Sequence, residues 1–294
     1  MGRMFAAFKP KINKLRTNLY LLRRNKLTFI SLLFILLLVL VAIFAPLIVP
    51  YPEHVKNMTN ASAKLIGPCK EYWFGTDELG RDIFSRILYG TRISLVASVG
   101  AVGLAMLIGI PLGAVAGARG GLIDDIIMRI CDIFLSFPSL LLAIVIAAFA
   151  GPNLQNALIA IAVSWWPWYA RIVRGQAISL KERQFVKASR AIGTSQVKII
   201  FRHIVPNCMA PVIVQATMDL GGIILTLASL SFLGLGAQAP TPEWGLMINT
   251  SKTYFLNAWW YSVFPGITIF VTVLAFNLVG DGLREIMDPR TRNK

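Results

Sequence analysis

Acidic residues are scarce in this chain: 14 Asp and Glu stand against 29 Lys and Arg, and residues 1–27 contain no acid at all. The net charge of +15 raises the question of nucleic acid. Such binding gathers basic residues on one soluble face, whereas here they lie in short blocks between apolar runs. The 3 cysteines, Cys69, Cys131 and Cys208, follow no repeated spacing, which argues against a disulfide or metal framework and leaves plain thiols. There are only 2 histidines, His54 and His203. They fall on opposite sides of the topology read below, so a histidine-built metal site is not expected. No Gly-Lys pair occurs, hence no GxxxxGK[ST], and the phosphate cradle of a P-loop has to come from another polypeptide. Internal repeats, heptads and low-complexity tracts are also missing.

Apolar residues are abundant. Of 294 residues 56% are hydrophobic and 15% charged, a balance far from that of a soluble domain. The chain reads as an all-α integral membrane protein with six transmembrane helices and both termini cytoplasmic, in one membrane domain. Residues 1–27 form a basic tail with Arg3, Lys9, Lys11, Lys14, Arg16, Arg23, Arg24 and Lys26. Residues 28–49 form an uncleaved first helix, near the ~20 residues that a span requires. Residues 50–91 make an extracytoplasmic loop, 92–280 a five-helix core, and 281–294 a cytoplasmic tail. Core spans are expected at about 93–116, 133–150, 155–168, 207–236 and 262–279. The loop at 171–206 carries eight basic residues against a lone Glu182, which places it inside by the positive-inside rule. Trp165, Trp166, Trp168 and Tyr169 read as an aromatic belt at the inner interface, and Trp244, Tyr254, Trp259, Trp260 and Tyr261 as one at the outer.

Three features invite a functional reading. In the outer loop Asp77, Glu78, Arg81, Asp82 and Arg86 cluster, and paired carboxylates can do acid–base work. The alternative, favoured because nothing supplies the rest of a reaction site, is a helix capped by Thr76 or Asp77 with an Asp82–Arg86 pair one turn apart. Gly109, Gly113, Gly117 and Gly121 recur every four residues, which flattens one helix face for close helix contact. Asp219 is the carboxylate inside a hydrophobic run. A charge at such depth costs about 2.5–3.5 kcal/mol on insertion scales, so it should face the bundle interior or water. It is a candidate for a transport path or, alternatively, a bond to a neighbouring helix.

The most informative stretch is KERQFVKASRAIGTSQVKIIFRHIVP at 181–206. Phe185, Val186, Ala188, Ala191 and Ile192 form an apolar stripe at helical spacing, with Lys187 and Arg190 turned elsewhere. Gly193 offers a helix-ending residue and Thr194 or Ser195 an N-cap; a second short helix is expected to stop at Pro206. This helix–glycine–helix knuckle suits either docking of a soluble partner or an apolar face laid on the lipid surface.

Residue order adds to that reading. Ala188, Gly193 and Pro206 stand at the separations of the "EAA" loop of ABC importer permeases, with Val205 for its Leu, while Lys187, Ser189 and His203 depart from the pattern. FGTDELGRDIFSRILYGTRISL at 74–95, SFLGLGAQAPTPEWG at 231–245 and GDGLREIMDPR at 280–290 complete a resemblance over almost the whole chain to the C-type permease of the dipeptide/oligopeptide/nickel class of ABC importers. The resemblance implies a type I (MetI-like) permease fold in the bacterial inner membrane. It implies a second homologous permease as heterodimer partner, two cytoplasmic ATPase subunits that bind the ATP and Mg, and an extracytoplasmic binding protein delivering peptides. The chain itself would hold no cofactor or metal and perform no catalysis. Phe185, Lys187, Ala188, Arg190, Gly193, Thr194 and Pro206 would form the ATPase-coupling loop. Nickel-chelate, glutathione or another small solute is the alternative cargo. A self-sufficient secondary carrier or channel would want coupling-ion groups at midplane and often inverted repeats, and one aspartate without a repeat weighs against it.

Overall fold

The structure, a computed structural model, describes residues 25–287. Most of the basic tail and the last seven residues lie outside the described range. Among the described residues there is no strand, only an isolated bridge between Thr76 and Asp82. The helices are α1 Lys26–Ile48, α2 Ile83–Arg119, α3 Gly121–Leu135, α4 Ser139–Ala150, α5 Leu154–Lys181, α6 Gln184–Ala191, α7 Gln196–Ile199, α8 Val205–Phe232, α9 Trp244–Ser251 and α10 Trp259–Met287. Polar side chains start several of them. Asn25, Asp82, Asn153 and Glu243 each accept a backbone N–H of the first turn of α1, α2, α5 and α9, satisfying donors that a helix start leaves free.

By length and composition α1, α2, the α7–α8 run and α10 can each cross a membrane, and the bent pair α3–α4 makes a fifth candidate. α2 begins at Ile83, ten residues before the expected edge of the second span, because the Asp82 cap rather than the onset of the apolar run sets its start. Its 37 residues reach about 55 Å at 1.5 Å per residue, well beyond the ~30 Å hydrocarbon core. The third span is not one straight helix from 133. α3 and α4 meet at 87° across Ser136–Pro138, where Pro138 withholds an N–H and forces its predecessor out of the helical region. Ser136 Oγ donates to the Ile133 carbonyl there. α5 runs on through Pro167 to Lys181, past the expected end at 168, because its charged half is held by α3. α10 likewise extends beyond 262–279 at both ends.

The register of the glycines gives the direction of the helices. A Cβ on Gly109, Gly113 or Gly117 would collide with the carbonyl of Trp166, Ala170 or Arg174, and one on Gly100 would meet Leu158. The partner numbers rise together, so α2 and α5 run parallel, and α3–α4 must carry the chain back between them. Buried alanines on both sides, among them Ala105, Ala114, Ala160 and Ala177, keep this seam narrow. Gly121 does not belong to the packing face: nothing lies within 4 Å of its would-be Cβ. With φ of +69° and +59°, Gly120 and Gly121 make the sharp turn from α2 into α3, a backbone region that disfavours other residues.

α8 and α10 run antiparallel, with Met218 against Gly280 and Gly221 against Val273 and Asn277. α1 packs against the other side of α10, where Thr28 Oγ1 donates to the Leu278 carbonyl and Gly282 fits beneath Thr28. The start of α1, the end of α10, the end of α2 and the end of α5 therefore share one end of the bundle; Lys181 Nζ lies 3.9 Å from where a Gly120 Cβ would stand. The opposite end holds 49–82 and 233–258. There the aromatic residues do not form a surface belt: Trp244 and Tyr261 are buried, and Trp244 Nε1 donates to the Ile87 carbonyl. On α5, Trp166 and Tyr169 are buried as well and only Trp168 of the four is exposed. Of the nine rings four are buried and only Trp168 and Trp259 are exposed.

Candidate functional site

The knuckle projects from the end of the bundle that holds the chain's described termini, between α5 and α8. α6 closes on Gly193 at φ +78°. Gly193 N–H donates to Arg190 O at 2.9 Å and Thr194 N–H to Ser189 O at 3.1 Å, the paired bonds of a Schellman ending. Thr194 and Ser195 give no side-chain cap; α7 begins with Ser195 in an extended conformation. Pro206 does not stop the second helix. Residues Ile200–Ile204 form a π turn, with Val205 N–H donating to Ile200 O, and α8 continues from it with Pro206 in its first turn. The wider turn accommodates a residue without an N–H where an α-turn would need a donor.

The apolar stripe divides into two sets. Val186, Ile199, Ile200 and Ile204 are buried in the main core and bolt the knuckle to the bundle. Phe185 (43%), Ile192 (82%), Val197 (56%) and Phe201 (52%) are exposed, as are Ala188 and Ala191. Helical spacing put Phe185 and Val186 on one stripe, but only one of the two can point at the core. Around the exposed set stand Arg190, Lys198 and Arg202. Lys187 Nζ pairs with Glu182 at 3.0 Å, and that ammonium holds the Glu182 carboxyl below its usual range. This pair closes the α5–α6 corner.

The knuckle's stem is braced by charges that read in the sequence as loop residues. Arg174 on α5 grips Asp124 on α3 with two bonds, Nε–Oδ1 at 2.5 Å and Nη2–Oδ2 at 2.7 Å, and Arg171 pairs with Asp132. The signal available beforehand was the spacing of Asp124 and Asp132 by eight residues and of Arg171 and Arg174 by three, each pair close to one helix face.

Asp219 sits near the middle of α8. Its Oδ1 accepts from Gln215 Nε2 at 2.9 Å. Its Oδ2 and the Tyr169 hydroxyl of α5 are both buried. The two groups face each other across the α5–α8 interface. The position is thus a polar contact between two helices at mid-bundle, Asp219 of α8 against Tyr169 of α5. Tyr169 escaped the sequence reading because it was assigned to a surface belt.

The outer cluster also differs from expectation. Asp82, not Thr76 or Asp77, caps α2, and its carboxylate takes Ser85 N–H at 2.7 Å rather than Arg86. Asp77 is fully buried, accepts from Leu79 N, Arg81 N and Arg81 Nε, and lies 3.5 Å from Arg86 Nε. Those bonds shape the Thr76–Asp82 loop, with Gly80 at φ +75°.

Comparison with known proteins places these features. The binding-protein-dependent transport system inner membrane component family matches residues 109–293, and the N-terminal TM domain of oligopeptide transport permease C matches 16–68. The chain is 51% identical over 274 residues to the dipeptide transport system permease protein DppC of Alkalihalophilus pseudofirmus, covering 92% of this chain and 88% of the relative. It is 44% identical over 275 residues to the probable D,D-dipeptide transport system permease protein DdpC of Escherichia coli (strain K12), covering 94% and 91%. With the glutathione transport system permease protein GsiD of Escherichia coli O157:H7 it shares 47% identity over 271 residues, covering 92% and 88%. Among solved structures, an inward-facing MetNI methionine ABC transporter aligns with a TM-score of 0.55 at 20% identity, over 69% of this chain and 97% of that one. The last likeness is one of fold.

Proposed function

This chain belongs to the binding-protein-dependent transport system inner membrane component family, and on that premise we propose that it forms half of the pathway of an ATP-driven importer of di- and oligopeptides. It crosses the membrane six times, with α3–α4 acting as one bent span and α5 as another, and both termini are cytoplasmic. The shared end of the α1 start and the α10 end, and the surplus of basic residues there, support that orientation. A homologous second permease completes the pathway. Two cytoplasmic ATPase subunits bind ATP and Mg, and an extracytoplasmic protein delivers the cargo. The chain carries no cofactor of its own and catalyses no reaction.

The observation that carries this reading is the knuckle: exposed Phe185, Ile192, Val197 and Phe201 among exposed cations, on a mount whose other apolar residues are locked in the core. An ATPase that closes on nucleotide grips that surface, and the mount passes the movement to α5 and α8, shifting the bundle between inward-open and outward-open packings. Asp219 and Tyr169 lie on those two helices, and we assign Asp219 to the transport path, where its carboxylate can meet a peptide ammonium. Glutathione is the second cargo reading, favoured by the 47% identity to GsiD.

The test uses the assembled transporter in liposomes. Gly193→Pro removes the N–H given to Arg190 O and is incompatible with φ +78°, while Arg190→Glu with Lys187→Glu reverses the charge of the grip. Both variants are expected to insert and assemble but to uncouple ATP hydrolysis from uptake. Normal coupled uptake in both would remove the knuckle from the mechanism, and uptake without any ATPase subunit would make the chain a self-sufficient carrier.

A further inference from the structure

In the half of the bundle away from the knuckle, α8, α9 and α10 border an open groove of about 530 Å³, in the size range of small-ligand sites. Leu225 and Phe232 of α8, Ile248 of α9 and Gly266 and Phe270 of α10 line it. Its walls are carbon. The one polar side chain in the lining, Ser229, donates its hydroxyl to Leu225 O at 2.8 Å and so asks nothing of a ligand. Gly266 keeps the floor open, since nothing lies within 4 Å of the place a Cβ would take. Leu225, Phe232 and Phe270 are all exposed.

The outer end of the groove has a different character. Gly245 lies against the Ala228 backbone, while the hydroxyls of Thr250 and Ser251 meet those of Tyr261 and Ser262, each at 2.6 Å. Thus α9 climbs from the flank of α8 to the start of α10. Ile248 faces the groove, and Lys252, one turn further along the same face, is exposed above it. Trp259, Gly266 and Phe270 are spaced by seven and four residues, which sets them on one face of α10, and Trp259 is exposed. A cation and an amphipathic ring therefore flank the outer mouth of an apolar slot, at the level where α8 ends and α10 begins. That order, polar above and hydrocarbon below, is the order of a membrane lipid. A peptide does not match it, because the walls offer its amides no partner.

We propose that this groove holds one phospholipid of the outer leaflet, its acyl chain between α8 and α10 and its phosphate beside Lys252 and Trp259. The proposal goes beyond the importer reading and rests only on its orientation in the membrane, not on its cargo. The acyl chain fills a space that no side chain of this protein occupies, and it continues the apolar face that α8 and α10 already turn outward. The lipid touches α8, α9 and α10 together, so it acts as a wedge that keeps the outer ends of the two long helices at a fixed separation.

The experiment uses the complete transporter in nanodiscs that contain phosphatidylglycerol with a photoactivatable diazirine on its acyl chain, and mass spectrometry locates the labelled residues. Labelling is expected to concentrate on 225–233 and 266–273, in excess of that on the exposed α1 surface at Leu36 and Leu40. Gly266→Leu has room for its side chain and should abolish the excess by filling the groove, whereas Gly103→Leu, at an equally open position on α2, should leave it intact. Lys252→Gln should lower the excess about fivefold, the worth of one basic residue at an anionic lipid surface. A photoreactive p-benzoylphenylalanine in place of Leu225 should attach to lipid; attachment to the second permease instead would make the groove a protein interface and overturn the proposal. Labelling no heavier than on α1, or an excess that survives Gly266→Leu, overturns it as well. Peptide uptake by the same protein in liposomes is read separately, so a transporter that imports peptide but shows no excess loses the lipid site and keeps the importer reading.

Discussion

At the scale of single residues, the seam between α2 and α5 sets the tightest constraint. A methyl group at Gly113 would run into the Ala170 carbonyl, whereas Gly103 on the same helix has open space around it. Gly113→Ala is therefore expected to destabilise the bundle by about 1–3 kcal/mol, as overpacking does. Gly103→Ala should be neutral, and thermal unfolding of both variants in detergent checks the pair. Asp219 makes a separate case. It accepts from Gln215 on its own helix and faces the Tyr169 hydroxyl across the interface, and an amide of the same shape can do both, so Asp219→Asn should cost little stability. If Asp219 serves the path, that variant raises the KM for uptake of cationic-end peptides severalfold while the assembled complex keeps its melting temperature. Unchanged uptake kinetics would return Asp219 to a packing role. The acid itself was legible from its placement in an apolar run; its partner was not, since a tyrosine beside three tryptophans looks the same in sequence whether it meets lipid or core.

At the scale of elements, the corner α3–α5 and the π turn control how the knuckle is mounted. Asp124 is buried, so removing its bidentate partner with Arg174→Ala leaves a carboxylate unsatisfied and should cost about 1–3 kcal/mol. Removing both groups together should recover part of that loss, and a double-mutant cycle on unfolding free energy measures the coupling. The π turn at Ile200–Ile204 adds one residue to an otherwise continuous helix. Deleting exposed Arg202 should convert it to regular α-helix and remove the wide turn that seats Pro206, remounting the knuckle on α8. The expected result is an assembled transporter whose ATPase activity no longer responds to substrate-loaded binding protein; a normal response would show that the turn's register is not used. Periodicity revealed the knuckle's two helices and its glycine hinge because those depend on local backbone chemistry. It could not reveal that Pro206 continues a helix, since a proline's effect depends on whether the preceding turn is α or π.

At the scale of the whole molecule, the direction of the helices makes a claim about sidedness. With Cys69 replaced by Ser, a cysteine at the exposed position Thr59 should react with a membrane-impermeant maleimide added to intact cells, and one at exposed Ile192 only after the membrane is opened. The reverse pattern would invert the topology and separate the knuckle from any cytoplasmic ATPase. Composition and motifs were enough to indicate a multi-pass helical membrane protein and its family, because solvation of apolar groups depends on the residues themselves. Only the tertiary structure decided which helices run parallel, that the third span is bent, and that half of the knuckle's apolar residues are anchors and half are free. Those outcomes depend on which surfaces meet across long stretches of chain, and no local spacing of residues carries that information.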